Sequence, residues 1–105
     1  MSERIAFRMV LNAGGAAEYK RRHDDICPEL VELLRDVGVS DYTIWLDPET
    51  DHLYATLVRS DRHDMARLPD TDIMKRWWAM MGDIMETNVD TSPVQVDLQL
   101  MFSLP

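Results

Sequence analysis

Tyr42-Thr43-Ile44-Trp45-Leu46-Asp47, then Pro48-Glu49-Thr50-Asp51, then His52-Leu53-Tyr54-Ala55-Thr56-Leu57-Val58-Arg59 form the stretch that decides the fold. Side chains along a strand point alternately to its two faces. In the first segment Tyr42, Ile44 and Leu46 share one face, with Thr43 and Trp45 on the other. In the second, Leu53, Ala55 and Leu57 lie opposite His52, Tyr54, Thr56 and Val58. Between them stand residues that favour turns, a proline followed by polar groups. The reading is two strands joined as a hairpin in the middle of the chain.

On the N-terminal side, Arg4 to Leu11 also alternates: Ile5, Phe7, Met9 and Leu11 face one way, and Arg4, Ala6, Arg8 and Val10 the other. Asn12-Ala13-Gly14-Gly15 is a turn, without the spacing of a phosphate-binding glycine loop. Ala16 to Val37 carries helical periodicity through Tyr19, His23, Ile26, Leu30, Leu33, Leu34 and Val37. Pro28 lacks an N–H and crowds the preceding turn, so the helix kinks or restarts there, with Asp24 or Asp25 as the cap of the restart. Gly38 ends it.

On the C-terminal side, a second helical region begins near Asp61 and breaks near Pro69. It continues from Asp70 or Thr71 through Ile73, Met74, Trp77, Trp78, Met81, Ile84 and Met85. Asn88 to Pro93 is a polar loop. Val94, Val96, Leu98, Leu100 and Phe102 alternate in a last strand.

The order β-α-β-β-α-β predicts an α+β, ferredoxin-like domain, an antiparallel four-stranded sheet with both helices on one face. All 105 residues fit one domain, residues 1–105. The other sheet face lacks a cover within the chain yet carries apolar residues such as Val10 and Val58. A second copy covering it would make a homodimer.

The formal net charge of -8 weighs against nucleic acid and anionic membrane, which both require a basic surface. Lys20, Arg21 and Arg22 form the densest basic cluster and read as a solvated helix face. One cysteine, Cys27, precludes an internal disulfide and fits a reducing compartment. Met1-Ser2-Glu3-Arg4 has no signal-peptide core, and no apolar run reaches the ~20 residues of a membrane span. The expected location is the cytoplasm.

Tyr19 and His23 are four residues apart, one turn apart on one helix face. Histidine exchanges a proton near neutral pH. Against this stands the commoner fate of a lone histidine, a satisfied or solvated surface group, which is the reading for His52 and His63. Trp77 and Trp78, as neighbours on a helix, diverge by ~100°, so one at most is core. The other needs a pocket, an interface or the surface. Their ordinary role is core plus interface. Their functional role is a flat apolar surface on which the C–H face of a sugar stacks. An acid/base group beside such a surface suits a small-sugar enzyme that uses no metal. The three histidines lack metal-ligand spacing, and Cys27 reads as a small buried hydrophobe, although a Cys27–His23 pair is geometrically possible.

The segments Glu18-Tyr19-Lys20-Arg21-Arg22-His23, Pro28-Glu29-Leu30, Tyr42-Thr43-Ile44-Trp45-Leu46-Asp47, Arg76-Trp77-Trp78-Ala79-Met80-Met81, Asn88 to Pro93, and Phe102-Ser103-Leu104-Pro105 resemble the L-rhamnose mutarotase family. The resemblance runs from the first strand to the last residue. Cys27, where relatives can carry a large aromatic, and Gly14-Gly15 depart from the family pattern.

The resemblance implies an isomerase that interconverts the α and β anomers of L-rhamnose or a related 6-deoxy sugar. It implies His23 as the proton donor, and Tyr19, Tyr42, Trp77 and Trp78 as sugar contacts. It further implies no cofactor and no metal, and a homodimer built as a dimeric α+β barrel. The rival is a dimeric ferredoxin-like protein that binds a small ligand without turnover. A second rival is a cofactor-free monooxygenase on the same scaffold, distinguished by its need for oxygen.

Overall fold

The structure is a computed structural model that describes residues 2–105. Its elements run β1 (Glu3–Val10), α1 (Ala16–Asp24), α2 (Pro28–Asp36), β2 (Val39–Asp47), β3 (His52–Arg59), a 3₁₀ helix (Met65–Asp70), α3 (Asp72–Met81) and β4 (Val96–Asp97). The sheet order is β2-β3-β1-β4, and every pairing is antiparallel. This is the βαββαβ arrangement expected from the element order.

The inner sheet face follows the alternation. Phe7 pairs with Ala55 and Met9 with Leu53, and all four are buried. Leu30 of α2 and Met74 and Met81 of α3 complete this core. Thr71 caps α3, its hydroxyl accepting the N–H of Met74 at 3.3 Å.

Several boundaries differ from the sequence reading, each for a local reason. The long helix expected over Ala16–Val37 is two helices. A residue before proline is pushed out of the helical region, and Cys27 is extended at ψ 138°. The cap of α2 is therefore Cys27 rather than Asp24 or Asp25, with Pro28 at the first helical position and no side-chain cap bond. Cys27 is exposed, not buried. Gly38 does follow α2, at φ +98°, in a backbone region that suits glycine.

The region after Asp61 forms a short 3₁₀ helix around Pro69. The α3 helix stops at Met81, so Ile84 and Met85 lie beyond it, and Met85 bridges to Leu11. The expected strand over Val94–Phe102 is reduced to Val96–Asp97 opposite Arg8 and Phe7. Leu100, Met101, Phe102 and Leu104 are exposed. Alternation marks a segment that needs a neighbour, and this chain supplies β1 as that neighbour only briefly.

Candidate active site

Tyr42 reaches the inner sheet face through an irregularity in β2. Val39 pairs with Arg59 and Ser40 with Val58, but the next partner pair is Thr43 with Thr56. Asp41 and Tyr42 therefore stand opposite Leu57 alone, two residues against one, which is a β-bulge. The bulge reverses the alternation. Before it, odd-numbered Val39 faces inward; after it, even-numbered Tyr42 and Ile44 do. Asp41 takes φ +48° at this point and pairs with Arg4 of β1. Tyr42 and Phe7 meet edge to face with ring centroids 6.2 Å apart. The sequence reading put Tyr42 on the right face by starting the strand there, and so missed the bulge.

Tyr19 and His23 come from α1. Their rings stack with centroids 4.2 Å apart and planes 29° apart. The His23 Nδ1–H donates to the backbone carbonyl of Tyr19 at 3.0 Å. A carbonyl oxygen only accepts, so Nδ1 carries the hydrogen and Nε2 presents its lone pair when the ring is neutral. Trp77 of α3 meets the imidazole at 5.1 Å with planes 89° apart. Trp77 and Trp78 are both half-buried against the core, so neither is the fully core tryptophan that the spacing allowed.

A cavity of about 470 Å³ lies between the inner sheet face and the helices, and Tyr19, His23, Tyr42, Trp77 and Trp78 all line it. Cavities of this size, mostly apolar with a few polar groups, hold small molecules. A wider groove of about 830 Å³ shares Tyr19, His23 and Tyr42 and runs on past Lys20, Asp24 and Leu46.

Burial tunes the titratable groups. Desolvation lowers the His23 pKa below its ordinary 6.5, partly opposed by the Tyr19 carbonyl and the Asp24 charge. Desolvation pushes the Tyr42 hydroxyl up to about 12. It raises Tyr19 above the ordinary range, with Tyr42 adding to the shift. Near neutral pH the site thus holds a neutral imidazole, open at Nε2, beside two protonated phenols.

The family model for L-rhamnose mutarotase matches residues 4–104. The chain belongs to the L-rhamnose mutarotase family. It is 60% identical over 103 residues to an L-rhamnose mutarotase of Brucella anthropi, covering 98% of this chain and 97% of that one. To the L-rhamnose mutarotase of Agrobacterium fabrum it is 58% identical, with 98% and 96% covered. The crystal structure of an L-rhamnose mutarotase from Formosa agariphila superimposes with a TM-score of 0.90 at 46% identity, covering 98% of this chain and 99% of that one. Fold and family agree with the expectation from the residues.

His52 and His63 line neither of these two cavities. His63 is half-buried rather than a plain surface group, and its Nδ1 accepts the Met65 N–H at 3.4 Å. Of the basic cluster, Lys20 and Arg21 are solvated as expected, but the Arg22 side chain is only 14% exposed. Sequence spacing puts it on the solvated face, because the Met80 carbonyl and Asp83, which it also bonds, lie on a distant segment.

Proposed function

We propose that this protein is an isomerase that interconverts the α and β anomers of L-rhamnopyranose by opening and reclosing the pyranose ring. Family membership supports the activity. The observation that carries the mechanism is the convergence of His23, Tyr19, Tyr42, Trp77 and Trp78, from two helices and a bulged strand, on one cavity.

Mutarotation needs one proton removed from the anomeric hydroxyl and one delivered to the ring oxygen. The C1–O5 bond breaks as the C1 carbonyl forms. Rotation about C1–C2 turns the other carbonyl face to O5, and closure reverses the proton transfer. His23 begins neutral, so its Nε2 takes the anomeric proton and delivers it to O5 as the C1–O5 bond breaks, which is the donor role that the family resemblance implies. By microscopic reversibility its Nε2 takes the O5 proton on closing and gives it to the carbonyl oxygen. The phenols stay protonated and supply O–H donors, Tyr42 toward the ring oxygen and Tyr19 toward a sugar hydroxyl. The indoles of Trp77 and Trp78 pack on the C–H face and the C6 methyl. An apolar wall of this kind separates a methyl from a hydroxymethyl by ~1–3 kcal/mol, a modest preference for 6-deoxy sugars.

The protein works as a homodimer in this reading. Trp45 is 68% exposed on the outer sheet face, and Tyr54 is also exposed there. The Arg8 Nε on the same face is buried without a hydrogen-bond partner among the described residues. The apolar C-terminal segment around Phe102 adds further uncovered surface. A second copy laid over this face covers Trp45, Tyr54 and Arg8, and light scattering measures the resulting mass. With a lone cysteine and no internal disulfide, the cytoplasm is the compartment assigned.

NMR saturation transfer between the anomeric protons of L-rhamnose tests the activity directly. Exchange well above the buffer rate supports it. Exchange at the buffer rate, with tryptophan fluorescence still quenched by the sugar, would replace it with a binding protein.

A further inference from the structure

Arg22 sits beside His23 in the chain, yet its guanidinium points to a different part of the molecule. Nε donates to Glu18 on the same helix at 2.8 Å. Nη1 donates to the Met80 carbonyl at 2.8 Å and to Asp83 at 2.7 Å, and Nη2 reaches the second Asp83 oxygen at 3.1 Å. Met80 lies one turn beyond Trp77 in α3, and Asp83 follows that helix's end.

The helix that carries Tyr19 and His23 makes only sparse backbone approaches to the other elements. Its placement therefore depends on side chains. A two-pronged bond between a guanidinium and a carboxylate fixes angle as well as distance, which a lysine ammonium does not.

We propose that Arg22 is a positioning residue for catalysis, clamping α1 to the end of α3 and thereby setting the edge-to-face contact between His23 and Trp77. The inference rests on the mutarotase reading for its kinetic consequence. Its geometric consequence stands apart from that reading. Hydrogen bonds from Arg21 and then Arg22 hold the Glu18 carboxyl down to about 2, so the network stays charged across the working pH range.

The test compares Arg22→Met, Arg22→Lys, Asp83→Asn and Glu18→Gln in the intact protein. It measures kcat and KM for L-rhamnose exchange, together with the nuclear Overhauser contact between the His23 and Trp77 rings. A displacement of about 1 Å at a reacting group costs on the order of a hundredfold in rate. Arg22→Met and Asp83→Asn are expected to lower kcat about tenfold or more while changing KM less, and to weaken the ring contact. Arg22→Lys should lie between these and wild type. Glu18→Gln, which weakens only bonds within α1, should keep kcat within about twofold.

If Arg22→Met does not fold, Asp83→Asn carries the comparison. An unchanged ring contact and kcat in Asp83→Asn, with only a lower melting temperature, would overturn the proposal. So would a Glu18→Gln loss as large as that of Asp83→Asn. A wild-type protein without exchange overturns the mutarotase reading instead, and the ring contact then still decides whether Arg22 positions His23.

Discussion

His23 is bound to Tyr19 twice: the imidazole stacks on the phenol ring, and its Nδ1–H donates to the Tyr19 carbonyl 3.0 Å away. One helical turn supplies both contacts, because residues four apart lie above one another on a helix. The ring is thereby held in one tautomer, with no hydrogen bond to Nε2 among the described residues, and it stands perpendicular to Trp77.

Replacing His23 by alanine or glutamine removes the proton-exchanging nitrogen and leaves the helix in place. A positioned acid/base group contributes roughly 10²–10⁴-fold. Anomer exchange should fall by that order in both variants, with an unchanged circular dichroism spectrum. Wild-type exchange in His23→Gln would remove the imidazole from the mechanism.

The lowered His23 pKa gives the acid limb of activity a position below pH 6.5. Exchange should stay level through neutrality and fall only as His23 takes up its proton. With Tyr42 near 12 and Tyr19 raised as well, neither phenol titrates near neutrality to add a limb there.

Stability follows the same sign. Above pH 6.5 folded and unfolded His23 are both neutral. Below it the unfolded chain binds the proton first, so stability declines as pH falls, until the folded ring is protonated too. Urea titrations across this window should show the decline, and His23→Gln should flatten it.

Trp77→Ala and Trp78→Ala should each raise KM by about 5–30-fold, the equivalent of losing about 1–2 kcal/mol of ring packing. Because both indoles are only half-buried, each variant should cost less than the ~3–5 kcal/mol of a fully buried tryptophan. Sugar titrations and urea unfolding measure the two effects separately.

Tyr42→Phe deletes one hydroxyl and keeps the ring against Phe7. A neutral hydrogen bond is worth ~0.5–1.5 kcal/mol, so kcat/KM should fall about two- to tenfold while the melting temperature holds. An unchanged kcat/KM would take the Tyr42 hydroxyl out of the sugar site.

Gly38→Ala tests the turn into β2. The position takes φ +98°, and an added Cβ would lie 2.4 Å from the Ser60 Oγ and 3.1 Å from His63. A left-handed conformation alone costs ~1–2 kcal/mol for a residue with a Cβ. The variant should lose at least that in urea unfolding.

The sequence by itself determined the element order, the inner face of the sheet and the pairing of Tyr19 with His23. Alternation, helical spacing and the Pro28 break are local properties, and they survive whatever packs around them. It also carried the family signature, because the contact residues cluster in short segments such as Arg76-Trp77-Trp78.

Only the tertiary structure decided what depends on distant partners. The phase of β2 turned on a bulge that exists only against Leu57 of β3. Arg22 left the solvated face because Asp83, sixty-one residues away, neutralises it there. The last strand shrank because the ladder ends once the Leu98 N–H has bonded the Ala6 carbonyl, although β1 runs back to Glu3. Proximity between α1 and α3, which brings His23 to Trp77, has no periodic trace in either segment. It arises from packing two helices on one sheet face, and periodicity within a segment carries no information about the distance between segments.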